Sequence, residues 1–322
     1  GFGSGVLEMA AAEDAPIAPI RVGDDALRAV TFLPGYNHLL VGDIRGRLIR
    51  IDLDSGEMVA QRREHTRSLF TIAVTNDGSR ALTASYDRTV KVWDLNGTPE
   101  HPLALGLTQT LSGHSGRVYD VVLSPDGREA ASAADDGMLK VWQLASPVSP
   151  SKIRTQPEGH QGTVRAVALI PGGATFQRAL SSAHDGTLKV WDVDAGHLLH
   201  GYRPADHPLG SSASARHYEV VASLDRDTFA AAALDRVLIL RRVEDGQTVR
   251  TLRRRAVAGE RTPNEVRDLS VSPDRRRIAT AAGDGRVTLW DLDSGEALRT
   301  SEGHDDIARV VRFTPDGGRI IS

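Results

Sequence analysis

Three histidines in this 322-residue sequence are each followed, at nearly the same spacing, by a hydroxyl residue, an aspartate and a tryptophan. The three sets are His65, Thr83, Asp87 and Trp93; His114, Ser132, Asp136 and Trp142; and His160, Ser181, Asp185 and Trp191. A hydroxyl, a histidine and an aspartate are the groups of a hydrolase triad, in which histidine takes the hydroxyl proton and the carboxylate orients the imidazole. Three copies of one arrangement cannot all be active sites, so the repetition favours a structural role and predicts no catalytic residue.

Other residues that could carry chemistry make weaker candidates. His197 and His200 are three apart in a predicted strand and turn, where this spacing points their side chains to opposite faces and prevents joint metal binding. The glycine-rich stretch at residues 1–5 lacks the helix and the lysine that follow in a phosphate-binding loop. Cysteine is absent, which excludes disulfides and thiolate ligands. The sequence therefore predicts neither a metal nor a cofactor.

The composition gives no support to nucleic-acid or membrane binding. The formal net charge is −3, and we interpret the run Arg253-Arg254-Arg255 as a solvated strand edge. No apolar run reaches the length of about 18 residues that a membrane span requires, and no signal-peptide pattern is present. We therefore expect a cytoplasmic protein, or a periplasmic one if a signal precedes Gly1. Arginine outnumbers lysine 35 to 4, which we interpret as the mark of a bacterial coding sequence rich in G and C.

Internal repeats decide the fold class. The segments TASYDRTVKVWDL, ASAADDGMLKVWQL, SSAHDGTLKVWDV and TAAGDGRVTLWDL align on their last ten residues and place Trp93, Trp142, Trp191 and Trp290 in register. The first three tryptophans are 49 residues apart, and the last interval of 99 leaves room for one weaker repeat. That repeat has Arg241 in place of tryptophan, and an earlier weak repeat has Ile51.

Each repeat has the pattern of short strands in tight hairpins. Apolar runs of five to seven residues are bounded by Gly, Pro, Asp and Asn, with turns such as TNDG, SPDG and TPDG. Strands such as VYDVVLS and VRAVALI are apolar on both faces, as expected for a small sheet packed between two neighbours.

Over essentially its whole length the chain resembles the WD-repeat family. The resemblance rests on Gly113-His114, Ser124-Pro125-Asp126-Gly127, Asp136 and Trp142 in one repeat, and on the recurrence of this set elsewhere. It implies a β-propeller that brings other molecules together, and a buried hydrogen-bond chain from aspartate through histidine and hydroxyl to the indole N–H in each set. A later repeat keeps Thr280, Asp284 and Trp290 but has Thr262 at the histidine position. The repeats around Ile51 and Arg241 lack nearly the whole set, so we expect their blades to be held by packing alone and to be softer.

The repeat count predicts an all-β fold, a seven-bladed propeller of four-stranded antiparallel blades. The predicted boundaries are 23–64, 65–112, 113–158, 159–204, 205–256 and 257–302 for blades one to six, and 303–322 completed by 1–22 for the seventh. In this view Val6 to Ala11 pairs with the strand that ends at Ser322. The rival interpretation is that the chain continues past Ser322, and the abrupt start and end suggest a piece of a longer protein.

The resemblance also implies that partners bind over the mouth of the central channel. This face of the propeller carries the loops that lead into each innermost strand and the turns that contain the repeated aspartates. The fifth residue after each histidine position reads Arg28, Phe70, Tyr119, Arg165, Glu219, Arg267 and Arg309. Nearby positions add Arg117, Tyr86, His184 and the acidic Asp135. The predicted partner-binding residues are Arg28, Phe70, Tyr86, Arg117, Tyr119, Arg165, His184, Arg267 and Arg309. Four arginines left unpaired would make this face positive and suited to an acidic segment with an aromatic or aliphatic residue.

These observations favour a non-catalytic scaffold or sensor module that binds a protein or peptide as a monomeric propeller. The alternative is a propeller enzyme with its active site in the channel mouth, which a cluster of acids and histidines there would favour. Two long connections, residues 96–105 and 205–216, are either contact loops or tolerated insertions.

Overall fold

The computed structural model describes residues 5–11, 16–35, 37–98, 100–101, 103–144, 153–155, 159–171, 178–202, 218–233, 237–253, 265–301, 304 and 306–322. The predicted contact loop at 205–216, Thr262 and the arginines at 254 and 255 lie outside these residues. The described part of the chain contains no helix that is long and apolar enough to cross a membrane.

Six four-stranded antiparallel sheets are each built from consecutive strands of the chain, and we call them blades 1 to 6. In blades 1 to 3 the strands, from the innermost outward, are β3 (Leu27–Phe32), β4 (His38–Asp43), β5 (Arg47–Asp52) and β6 (Met58–Arg63); β7 (Leu69–Val74), β8 (Arg80–Ser85), β9 (Thr89–Asp94) and β10 (Gly106–Ser112); and β11 (Val118–Leu123), β12 (Glu129–Ala134), β13 (Leu139–Gln143) and β14 (Ile153–Thr155).

Blades 4 to 6 repeat this order. Their strands are β15 (Val164–Ile170), β16 (Arg178–Ala183), β17 (Leu188–Asp192) and β18 (His197–Tyr202); β19 (Tyr218–Ser223), β20 (Thr228–Ala233), β21 (Val237–Arg242) and β22 (Thr248–Arg253); and β23 (Val266–Val271), β24 (Arg277–Ala282), β25 (Val287–Asp291) and β26 (Ala297–Thr300).

The turn between the first two strands of blade 3 shows how the SPDG pattern sets the hairpin. The Ser124 hydroxyl donates to Asp126 Oδ1 at 2.6 Å, and the Arg128 N–H donates to the same oxygen at 3.0 Å. Gly127 has a φ of +66°, a conformation that few residues other than glycine adopt easily. The aspartate and the glycine therefore close the turn together.

The prediction of a seven-bladed propeller is wrong, because only six blades are continuous in the chain, and the remaining sheet is a composite of both ends of the described chain. Its strand order is β2 (Pro16–Gly23), β1 (Gly5–Ala11), β28 (Arg319–Ile321) and β27 (Arg312–Phe313). Met9 lies opposite Ile321, and Ala10 lies opposite Ile320. Its two inner strands have only two and three residues, so this sheet is not a further copy of the six continuous blades. The sequence count joined the two end segments, 303–322 and 1–22, into a seventh blade, whereas the structure gives them a sheet with short inner strands.

The core consists of apolar side chains packed between neighbouring sheets. Trp142 of blade 3, for example, packs with Leu82 and Val92 of blade 2. The composite sheet is packed on both sides, since Phe313 contacts the cluster of Ala279 in blade 6 and Val310 belongs to the cluster of Val30 in blade 1. The sheets therefore form a closed propeller around a central channel.

The expectation that blade 1 is held by packing alone is wrong. Asp43, whose side chain is fully buried, accepts the backbone N–H groups of Arg45 and Arg47 at 2.9 Å each. The Arg47 guanidinium joins Asp43 to Asp25, with distances of 2.5 and 2.8 Å. An ion-pair network outside the repeat pattern thus stabilises the turn of this blade.

Candidate functional site

The repeated histidine sets form hydrogen-bond chains inside blades 2, 3 and 4. In blade 3, His114 Nδ1 lies 2.8 Å from Asp136 Oδ2, and His114 Nε2 lies 2.7 Å from Ser132 Oγ. The Trp142 indole N–H donates to the same hydroxyl oxygen at 2.8 Å. The set of His65, Thr83, Asp87 and Trp93 has distances of 2.7, 2.7 and 2.8 Å at the corresponding contacts. Because the hydroxyl accepts from the indole, it donates to Nε2, and Nδ1–H donates to the carboxylate.

The set in blade 4 differs in one contact. His160 Nε2 lies 2.7 Å from Ser181 Oγ, and Trp191 donates to that oxygen at 2.8 Å. His160 Nδ1, however, lies 2.8 Å from the Thr187 hydroxyl and 3.3 Å from Asp185. Thr187 in turn donates to Asp185 at 2.6 Å, so a second hydroxyl is inserted into the chain.

Burial decides what these sets can do. Thr83, Ser132 and Ser181 are 0% exposed, so no substrate can reach a hydroxyl that would act as the nucleophile. Burial alone would raise the pKa of Asp87, but hydrogen bonds from His65 and Thr89 hold it well below its usual value. Each carboxylate is therefore ionised and hydrogen-bonded within its set. This arrangement suits a structural role, in which the set holds the strands of a blade together.

Two sites outside these three blades retain parts of the chain. In blade 6 the Trp290 indole donates to the Thr280 hydroxyl at 2.9 Å. Beside the composite sheet, His304 Nε2 lies 2.8 Å from the Ser322 hydroxyl. The sequence analysis did not identify this last contact, although His304 and Ser322 have the same 18-residue separation as His114 and Ser132.

Seven of the nine predicted partner-binding residues line one cavity of about 650 Å³ along the propeller axis, whereas Arg117 and His184 do not line it. Every fifth-position residue contributes to its wall, together with Tyr86 from the turn between β8 and β9: Arg28, Phe70, Tyr119, Arg165, Glu219, Arg267 and Arg309. These residues come from all six blades and from the segment before β27, so only the closed ring brings them together.

Three aromatic rings form what we call the aromatic cluster on one side of the mouth. Phe70 and Tyr86 stack with ring centroids 4.4 Å apart, and Tyr119 meets them edge-on at 5.1 and 5.4 Å. Burial raises the pKa of Tyr119 to about 12, so its hydroxyl is neutral at physiological pH. Phe70 and Tyr86 are half-buried and offer an apolar surface at the mouth, whereas Tyr119 is buried against them.

Three arginines cover the aromatic cluster. The guanidinium carbons of Arg28, Arg117 and Arg165 lie 5.1, 4.8 and 4.2 Å from the ring centroids of Phe70, Tyr86 and Tyr119, respectively. These distances are within the range of cation–π attraction. The rings are thus already paired with cations of the protein, which disfavours a cationic ligand at this position.

The expectation that the mouth arginines are unpaired is wrong for two of the four. Arg165 Nε and Nη2 both lie 2.9 Å from Glu219 Oε2, and His184 Nε2 lies 2.8 Å from Glu219 Oε1. Arg267 forms an ion pair with Glu265, and Arg117 lies 3.8 Å from Asp135. Reversing the charge of Arg165 or Arg267 would therefore test an internal ion pair and not a contact with a partner.

Arg28 and Arg309 differ from these pairs. Within the described residues, no carboxylate lies at ion-pair distance from either guanidinium. Burial, followed by repulsion from Arg309, lowers the pKa of Arg28, and burial likewise lowers that of Arg309. Two half-buried cations thus line the cavity with no carboxylate of the described residues at ion-pair distance.

Sequence reasoning missed two carboxylates deeper in the channel. Asp120 accepts the N–H of Val121 and, from the neighbouring blade, the N–H of Val167, both at 2.9 Å. Asp268 accepts the N–H of Val311 at 2.9 Å and forms an ion pair with Arg312. Each carboxylate ties the inner strands of two adjacent sheets. The sequence feature that could have identified both residues is an aspartate inside an otherwise apolar strand, as in VYDVVLS and VRDLSV.

Asp120 makes the stability of the protein depend on pH. Burial raises its pKa to about 7, whereas the unfolded chain should release this proton near the ordinary value of 3.8. Between these values the folded state binds more protons, so the contribution of Asp120 to stability falls as pH rises from about 4 to about 7, by at most about 1.4 kcal/mol per pH unit. Because burial also raises the pKa of Asp268, urea unfolding at several pH values should show a steeper fall of stability in the wild type than in Asp120→Asn. Equal slopes would contradict the assignment.

Comparison with known proteins identifies the repeats. The family model described as "WD domain, G-beta repeat" matches residues 56–94, 106–143, 151–192 and 248–291, about half of the chain. The chain is 37% identical over 60 residues to the nuclear distribution protein PAC1 of Mycosarcoma maydis, which covers 19% of this chain and 13% of that protein. It is 34% identical over 112 residues to the mRNA export factor of Bos taurus, covering 30% of this chain and 29% of that protein. With the protein groucho of Drosophila melanogaster it shares 35% identity over 52 residues, 16% of this chain and 7% of groucho.

The matched segments thus span less than a third of each of these relatives. All three relatives are eukaryotic, so they do not support the bacterial origin that the arginine bias suggested. Their shared feature is the repeat, and the family model matches the continuous blades that carry Trp93, Trp142, Trp191 and Trp290. The resemblance seen in the sequence is confirmed: the chain belongs to the WD-repeat family.

Proposed function

We propose that this chain is an interaction module that binds a segment of another protein at the channel mouth. WD-repeat proteins act as protein-interaction scaffolds, and the family is generally non-catalytic. The observation that supports this site most strongly is the aromatic cluster, held beside cationic side chains at an open cavity of about 650 Å³. Tyrosine and arginine are the residue types that contribute most to binding at protein interfaces.

The charges at the mouth indicate the character of the segment. Glu219 and Glu265 neutralise Arg165 and Arg267, which leaves the excess positive charge at Arg28 and Arg309. A segment with an acidic group for these arginines and an apolar side chain for the aromatic cluster would complement both halves of the mouth. We therefore expect an acidic ligand whose binding weakens as salt concentration rises.

An enzyme active site in the mouth is less well supported. The hydroxyls of the histidine sets are buried away from the channel, and Asp120 is occupied by two backbone N–H groups. His184 is bound to Glu219 and does not line the cavity, and the residues that line it at this level are mostly arginines and aromatic residues. This composition suits recognition better than proton transfer.

Selection of short random peptides on the immobilised protein tests the proposal. Peptides that bind should lose affinity by about tenfold or more in Tyr86→Ala, the loss expected when an aromatic contact is removed from an interface. Isothermal titration calorimetry provides the affinity, and thermal unfolding establishes that the variant is folded.

The matched control is Val249→Ala, which removes an exposed apolar side chain from the outer strand β22. This variant should bind as the wild type does. Loss of binding in Val249→Ala with retention in Tyr86→Ala would place recognition on the outer edge of the propeller, and selection of no binding peptide would also contradict the proposal.

A further inference from the structure

Arg28 and Arg309 lie side by side at the mouth, on neighbouring sheets. Arg28 belongs to β3, and Arg309 precedes β27 by three residues. Val30, two residues after Arg28, and Val310, directly after Arg309, pack in one apolar cluster, which fixes the two backbones relative to each other. Both side chains line the same cavity.

Nothing in the described chain balances this pair of charges. Asp306 is the acidic neighbour of Arg309 and raises its pKa, but it lies beyond ion-pair distance and is exposed. Arg28 Nε is buried without a hydrogen-bond acceptor. Burying two like charges together costs free energy unless an anion joins them.

Tyr86 adds a third polar group to this site. The Tyr86 ring stacks on Phe70, whose ring Arg28 covers, and Tyr86 lines the same cavity as Arg28 and Arg309 although it belongs to blade 2. A phenol hydroxyl can donate a hydrogen bond, and a guanidinium can donate two parallel ones. The two guanidiniums and the phenol hydroxyl thus line one cavity and can all donate hydrogen bonds into it.

We propose that Arg28, Arg309 and Tyr86 bind a phosphate monoester carried by a side chain of the partner segment. This inference depends on the proposed function, since the phosphate would be part of the segment bound at the mouth. A carboxylate carries one negative charge and would balance only one of the two arginines. A phosphate monoester carries close to two charges at neutral pH and has three acceptor oxygens, so it matches both the charge and the donors.

The neighbouring aromatic cluster accounts for the rest of such a segment. Phe70, which is half-buried and whose ring centroid lies 5.1 Å from the Arg28 guanidinium carbon, can hold an apolar residue next to the phosphorylated one. An extended nucleic-acid backbone would require a basic groove, whereas Arg28 and Arg309 line a cavity and the chain has a net charge of −3.

The test compares three sets of otherwise identical degenerate peptides, with a fixed phosphoserine, serine or glutamate at the centre, by fluorescence anisotropy. The phosphoserine set should bind about tenfold or more tightly than the other two. Arg28→Gln and Arg309→Gln should each reduce this preference to about twofold or less, and inorganic phosphate should compete only in the wild type. Arg226→Gln is the matched control, because Arg226 is an exposed arginine on the turn between β19 and β20, at the opposite end of the propeller.

The outcomes separate this inference from the proposed function. If all three sets bind equally and Tyr86→Ala weakens them equally, the mouth binds protein but the phosphate assignment is wrong. If Arg226→Gln loses the preference and the mouth variants keep it, the phosphate binds elsewhere. If no set binds, both the phosphate site and the interaction site are wrong. Should an arginine variant fail to fold, competition by inorganic phosphate in the wild type still decides the assignment.

Discussion

Replacement of His114 by alanine is expected to lower the free energy of unfolding by about 2 to 5 kcal/mol. The change removes the hydrogen-bond acceptor of Ser132 and a donor to Asp136, and both groups stay buried in blade 3. A buried polar group left without its partner costs about 1 to 3 kcal/mol, and the lost imidazole adds a cavity. Urea unfolding followed by tryptophan fluorescence would measure the effect.

His101→Ala is the control for this prediction, because His101 is an exposed histidine in the loop between β9 and β10. It should unfold within about 0.5 kcal/mol of the wild type. The folded His114→Ala protein should still bind ligands at the mouth, since His114 does not line the cavity. Loss of binding without loss of stability would mean that the histidine set is a binding site.

The histidine sets are a part of this protein that sequence can predict. Each one needs particular donors and acceptors, and the spacing from hydroxyl to aspartate to tryptophan is four and six residues in every copy. Hydrogen bonding of this kind restricts residue type, so the pattern survives in the sequence. The fifth-position residues at the channel mouth can be predicted from the sequence for a similar reason, because one position per repeat faces the channel.

The pairing of the mouth charges could not be predicted in this way. Arg165 and Glu219 are 54 residues apart and come from different blades, so their contact depends on side-chain conformations across a closed ring. The repeat pattern equally gives no sign of Asp43, which stabilises blade 1 from a position outside the repeat. The composite sheet is a third feature that the sequence could not predict in detail, since its strand lengths depend on how both ends of the chain fit between two blades.

Glu219→Gln is expected to have the second large effect, on both stability and ligand affinity. Burial alone would raise the pKa of Glu219, but the hydrogen bond from His184 and the charge of Arg165 lower it from 4.5 to about 2. The folded state therefore favours the ionised carboxylate, and its contribution to stability is complete above about pH 4.5 and is lost as the pH falls toward 2. At neutral pH, breaking such a buried pair costs about 3 kcal/mol or more, because Arg165 is left without its counter-ion.

The same substitution should strengthen the binding of an anion at the mouth. Arg165 would join Arg28 and Arg309 as a cation without a carboxylate partner, so the local charge rises by one unit while the aromatic cluster is unchanged. We expect an acidic peptide to bind several-fold more tightly at low salt, with the gain disappearing as salt screens the added charge. Glu244→Gln, which changes an exposed glutamate, is the control and should alter neither stability nor affinity. Unchanged stability together with unchanged affinity in Glu219→Gln would show that Glu219 does not set the charge of the mouth, and the binding of anions there would need another explanation.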